Sequence, residues 1–284
     1  MTNRTRELRA AAERLVAKIP AHVAPEVVLT GSVSRGVADD VSDVEMRLVT
    51  RDHLDRATCF ELAEAAGLGQ LGSWGTQGTE TSRVSGYFDE IPFELIWWSQ
   101  EYADAAIDAE SPAADAIANG VSLRTCGLLE TWQERLRTYP PELAAERIED
   151  AALTWGGFAA AGLLTIARPG ERLSLTERMV DDAVRVLRMV YAINRIWQPT
   201  TKRVAQRAEA LAVKPERLAE RIEEALTEPE PTRALVVMTQ LQLDTVMLAP
   251  SGPNVDRARA WLTEALEVLR APPEARGDHD VEAD

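Results

Sequence analysis

Two acidic side chains, Asp43 and Glu45, stand two residues apart in the stretch Ser42-Asp43-Val44-Glu45-Met46-Arg47-Leu48-Val49, downstream of a Gly31-Ser32 pair. Val44, Met46 and Leu48 alternate as in a β-strand. Successive strand side chains point to opposite faces, so Asp43 and Glu45 project together. Adjacent carboxylates repel each other, and they persist most easily where a divalent cation neutralises them. All-oxygen ligands of this kind suit magnesium. Gly31-Ser32 closes the short β-branched run Glu26-Val27-Val28-Leu29-Thr30, and such a turn offers backbone N–H groups and a hydroxyl to phosphate oxygens. Carboxylates for a metal beside a phosphate cradle imply phosphoryl or nucleotidyl transfer.

Two further residues are candidates on chemical grounds. Glu94 lies on the run Ile91 to Trp98, where Phe93, Leu95 and Trp97 face one way and Glu94, Ile96 and Trp98 the other. An acid between large apolar neighbours needs a partner. Asp89 and Glu90 compete for the same role but occupy the expected hairpin turn. Lys202 follows Pro199, Thr200 and Thr201 at an expected helix start. The helix dipole disfavours a cation there unless an anion such as a triphosphate is near.

The elements that must position these residues are readable in outline. Thr5 to Ile19 and Leu54 to Ala66 carry apolar residues at helical spacing, ended by Pro20 and Gly67. Gly67 to Thr81, with Trp74 inside it, reads as loop. Arg83 to Phe88 and Ile91 to Trp98 form a hairpin. Tyr102 to Ala109 is a short helix, and Gly120 to Arg124 then Leu128 to Tyr139 give a last strand and a helix. Pro140-Pro141 marks a boundary. Beyond it the expected helices are 142–167, 175–197, 204–212, 215–226, 232–248 and 255–269. The domains expected are thus 1–139, 140–271 and a disordered acidic tail over 272–284.

The chain has 284 residues, 45% hydrophobic and 27% charged, with a net charge of -15. Such acidity speaks against a groove for long nucleic acid. It is compatible with a small acceptor. Cys59 and Cys126 make no disulfide framework and imply a reducing cytoplasm, and the three histidines have no metal-ligand spacing. The uncharged run Ala151 to Ala167 is shorter than the roughly 20 residues a membrane span needs and reads as a buried helix.

Gly31-Ser32 followed by Asp43-Val44-Glu45 resembles the signature of the polymerase-beta-type nucleotidyltransferase superfamily, with glutamate where the second acid is more often aspartate. The resemblance implies an α+β fold, a mixed sheet flanked by helices followed by a C-terminal all-helical bundle. It further implies Mg2+, ATP as co-substrate, and transfer of AMP to a hydroxyl of a small molecule. Asp43, Glu45 and Glu94 would be metal ligands, Glu94 also the general base, and Gly31, Ser32 and Ser42 would lie on the nucleotide. Asn194-Arg195-Ile196-Trp197 followed by Lys202 resembles the spectinomycin-type adenylyltransferases, where a lysine so placed contacts nucleotide phosphate. An antibiotic such as an aminoglycoside is the acceptor class that this resemblance implies. A protein hydroxyl, as in antitoxin-type members, and a non-catalytic nucleotide-binding regulator are the alternatives.

Overall fold

The computed structural model describes residues 1–73, 81–108, 112–155 and 159–272. Trp74 and the tail beyond 272 lie outside the described residues. The chain divides into two units, Met1–Thr138 and Tyr139–Asp284.

The first unit is a six-stranded mixed sheet flanked by helices. Its strands are β1 (Glu26–Thr30), β2 (Val44–Thr50), β3 (Gly69–Gly72), β4 (Thr81–Phe88), β5 (Ile91–Ser99) and β6 (Val121–Arg124), in the order β3-β4-β5-β2-β1-β6. β2 and β5 run parallel, and the other neighbours are antiparallel. One sheet face carries Val27, Leu29, Val44, Met46, Leu48, Val84, Phe93, Leu95 and Trp97. It forms a core with Leu8, Ala11, Ala12 and Leu15 of α1 (Asn3–Val16) and with Cys59 and Ala63 of α3 (Arg56–Ala65). Thr2 caps α1 and Asp55 caps α3, each by accepting a backbone N–H of the first turn. α2 is a single turn, Gly31–Ser34.

Helices α4 (Gln100–Asp108), α5 (Pro112–Ala118) and α6 (Leu128–Leu136) pack on the other face, against β1, β2 and β5. Gly120 ends α5 so close to that face that a Cβ would sit 2.5 Å from Cγ1 of Val28. The hairpin between β4 and β5 turns on Asp89 and Glu90, both at positive φ (51° and 64°), a two-residue turn that suits the twist of the strands.

Two details of this unit differ from expectation. The stretch Gly67 to Thr81 holds the short strand β3, which pairs along β4 as a sheet edge; its Gly-rich composition hides the pairing. α5 was not anticipated, because Pro112 at its first turn reads equally well as a breaker.

The second unit is helical: α7 (Pro141–Leu153), α8 (Leu163–Ile166), α9 (Arg172–Ile193), α10 (Val204–Glu209), α11 (Leu218–Thr227), α12 (Pro231–Leu248) and α13 (Pro253–Arg270). Their apolar faces share one core, in which Trp155 is fully buried. The helix expected over 142–167 is broken: α7 stops at Leu153, and a 3-10 turn at Ala160–Gly162 leads into α8. Gly156 and Gly157 stand between, each costing a helix interior about 1 kcal/mol relative to alanine. α10 is also shorter than expected. It begins after Arg203, which takes a left-handed conformation with φ 59°, so Lys202 precedes the helix rather than lying in its first turn. No helix among the described residues is long and apolar enough to cross a membrane.

Candidate active site

The candidate site is built where β1 ends. Thr30 is extended, Gly31 turns the chain at φ +72°, and α2 follows. The carbonyl of Gly31 accepts from Ser34 Oγ at 3.1 Å and from Arg35 Nη1 at 3.1 Å. Arg35 also pairs with the buried Asp115 at 2.5 Å, which ties the turn to α5. Val37 N donates to the Ser32 carbonyl at 3.0 Å.

Antiparallel register puts Thr30 opposite Glu45, and Thr30 Oγ1 donates to the Glu45 carbonyl at 3.3 Å. The Glu45 carboxylate lies against the turn: a Cβ on Gly31 would sit 3.0 Å from Glu45 Cδ. Both the positive φ and this close approach require glycine at position 31. Ser42 is buried, and its hydroxyl closes the turn before Asp43, donating to Asp39 Oδ1 at 2.7 Å while accepting from Asp39 N at 2.9 Å.

Parallel register sets Glu94 directly beside Glu45. Asp43, Glu45 and Glu94 are each half-buried, and one carboxylate oxygen from each can be chosen such that all lie within 4.8 Å of one another. Burial pushes the Glu94 carboxyl above the ordinary range. Arg83 opposes that shift, Glu45 and Asp43 add to it, and Arg47 opposes it again. Arg83 Nη1 stands 3.6 Å from Glu94 Oε1, near enough for ion pairing and too far for a hydrogen bond; the oxygen is buried and has no hydrogen-bond partner among the described residues. A buried oxygen without a hydrogen bond, in a set of three hard carboxylates, fits a divalent cation such as Mg2+.

Two cations on this face were missed in the sequence. Arg47 donates to Thr30 Oγ1 and lies 5.1 Å from the Trp98 ring centroid. Burial lowers its pKa, which Glu45 and Glu94 counteract. Arg83 is the Glu94 partner. Strand alternation placed Arg47 on the face of Glu45, but the position of Arg83 depends on pairing between strands and leaves no local signal.

Asp89 and Glu90 stay in their turn, with Asp89 paired to Arg14 at 3.0 Å. Lys202 belongs to the second unit and is exposed in the turn ahead of α10.

No family model matches the sequence, and no curated protein matches it. A solved structure of a nucleotidyltransferase-like protein from Exiguobacterium sibiricum is similar, with a TM-score of 0.32 and 16% identity, over 94% of this chain and 74% of that one. Similarity at that level carries no argument about activity.

Proposed function

We propose that the first unit is a metal-dependent nucleotidyltransferase that moves AMP from ATP to a hydroxyl of a small molecule. The observation that carries this reading is the Asp43, Glu45 and Glu94 cluster, held within 4.8 Å against a glycine turn. Asp43 and Glu45 would hold the cation, with Glu94 as third ligand. A divalent cation there would offset negative charge on the phosphates and on the leaving pyrophosphate.

The chain's own groups have separable tasks. The Gly31-Ser32 turn would position the phosphates, with the Ser32 hydroxyl toward a phosphate oxygen. Ser42 acts by fixing the turn that aims Asp43. Glu94, its basicity raised by burial, would take the proton of the acceptor hydroxyl. The hydroxyl oxygen then bonds to the α-phosphorus, the bond from that phosphorus to the bridging oxygen breaks, and pyrophosphate leaves.

The test is a screen of the full chain with labelled ATP and Mg2+ against aminoglycosides, nucleosides and proteins, with Asp43→Asn as the inactive control. Label transferred by the wild type and not by the control supports the reading. Transfer by both would move the site elsewhere.

A further inference from the structure

One ion pair ties the Gly31-Ser32 turn to the helix packed beside it. Arg35 Nη1 donates to the Gly31 carbonyl at 3.1 Å, and Arg35 Nη2 donates to Asp115 Oδ2 at 2.5 Å. The guanidinium fork thus spans the turn and α5 at once, a geometry that a lysine ammonium does not reproduce. Asp115 is buried, with 11% of its side chain exposed against 21% for Arg35. Its own helix fixes it: Asn119 Nδ2 donates to Asp115 Oδ1 at 3.1 Å and to the Asp115 carbonyl at 2.8 Å. Gln133 Nε2 of α6 donates to the carbonyls of Ile117 and Gly120 at 3.2 and 2.9 Å, and Gly120 lies against Val28 of β1. Asp115 is therefore anchored to the sheet and to α6 independently of the turn.

Peptide planarity carries this anchoring into the turn. In a trans peptide the C=O and the N–H point in opposite directions. The Gly31 carbonyl is drawn toward Arg35 Nη1 and Ser34 Oγ, so the Ser32 N–H is directed away from them. The Ser32 carbonyl accepts from Val37 N at 3.0 Å, which turns the Val33 N–H away from Val37. Gly31 stands at φ +72°, and a glycine has no Cβ to confine its backbone. A turn on so permissive a residue keeps one orientation when groups outside it hold the carbonyl. A partly buried ion pair is weak evidence of stabilisation in itself, and this one is aimed at a single carbonyl.

We propose that Asp115 is a positioning residue of the nucleotide site: through Arg35 it holds the Gly31 carbonyl back, so that the Ser32 amide is presented to a phosphate oxygen. The inference rests on the nucleotidyl-transfer reading. It assigns part of the phosphate affinity to α5, which carries none of the proposed metal ligands.

The test titrates the full chain, folded and below its thermal transition, with a non-hydrolysable ATP analogue and Mg2+ by calorimetry. Mn2+ alone is titrated separately by electron paramagnetic resonance. Asp115→Asn keeps the shape of the side chain and removes its charge; Arg35→Lys keeps the charge and removes the fork. Each should weaken the ATP analogue about tenfold, the lower end for losing a partner that orients a binding group, and leave Mn2+ affinity unchanged. A pair with a structural role alone would lower the melting temperature and leave the affinity of the folded protein for the analogue intact, which overturns the proposal. A parallel loss of Mn2+ affinity overturns it too, because the whole site would then depend on the pair. Tighter binding of the analogue in Asp115→Asn would show that Arg35, once released, meets the phosphate itself. Should one variant fail to fold, the other decides. If the wild type does not bind the analogue with Mg2+, the nucleotidyl-transfer reading falls and this inference with it; if the wild type binds and the variants bind equally well, only Asp115 and Arg35 are misassigned.

Discussion

At the scale of single residues, the site depends on two positions, Gly31 and Glu94, whose environments leave little freedom. Gly31 combines φ +72° with a Cβ position 3.0 Å from the Glu45 carboxylate carbon. In Gly31→Ala, the left-handed conformation costs about 1–2 kcal/mol and the new methyl displaces the carboxylate. Mn2+ binding followed by electron paramagnetic resonance should weaken about tenfold or more for a displaced ligand, within the range of disturbed metal sites. Binding equal to wild type would show that Glu45 is not a ligand. Glu94 permits a pH test. Burial holds its folded carboxyl above the reference value of 4.5, whereas in the unfolded chain it titrates near that value. Between the two, the folded protein retains a proton that the unfolded chain has lost, so this group's contribution to stability falls as pH rises through the window. Glu94→Gln removes the penalty. In chelator, the variant's melting temperature should match wild type near about pH 4 and exceed it above the folded pKa. A gain that is the same at both pH values would contradict the shifted carboxyl.

Among the elements, β1 connects the site to the packing of the first unit. Its C-terminal end delivers Gly31. Its first residue, Glu26, is fully buried, and Glu26 Oε2 accepts from Cys126 N at 3.0 Å and Leu128 N at 3.1 Å. The carboxylate thereby satisfies backbone donors at the start of α6, a capping role that an acidic residue suits because of the helix dipole. Glu26→Ala removes the acceptor of those part-buried donors and should cost about 1 kcal/mol, measured as a lower urea midpoint with unchanged slope. Glu26→Gln, which can still accept, should recover part of the loss. No loss in the alanine variant would mean that water replaces the carboxylate.

Across the whole molecule, each unit has its own core, and the two clusters share no residue. In the bundle, Asp182 is buried and holds Trp155 Nε1 at 3.2 Å and Arg178 Nε at 2.5 Å. Burial raises its pKa and Arg178 opposes the shift. The pattern is that of a structural carboxylate. Asp182→Ala breaks the ion pair with Arg178 and removes the acceptor of Trp155 Nε1, and should destabilise the protein by about 3–5 kcal/mol, the range for breaking a buried ion pair. Mn2+ binding by the carboxylates of the first unit, measured on folded protein below the transition, should stay unchanged. A loss of metal affinity would show that the bundle supports the metal ligands.

Local pattern was enough to read several features from the chain alone. Asp43 and Glu45 share a face because side chains alternate with period 2. The hairpin at Asp89-Glu90 and most bundle helices follow from apolar periodicity and breakers, both of which are short-range. Long-range pairing decided the rest. The edge strand β3 is stabilised by β4 rather than by its own composition, and the break after Leu153 interrupts a run whose apolar character promised a continuous helix. Glu94 stands beside Glu45 only because β2 and β5 pair in parallel, 49 positions apart in the register Glu45↔Glu94. Arg83 reaches the same site only because β4 pairs with β5. Strand register is set by the packing of one buried face against α1 and α3, and that packing fixes the opposite face as well. The types of the functional groups were therefore visible along the chain, whereas their distances, burial and countercharges were decided by the folded sheet.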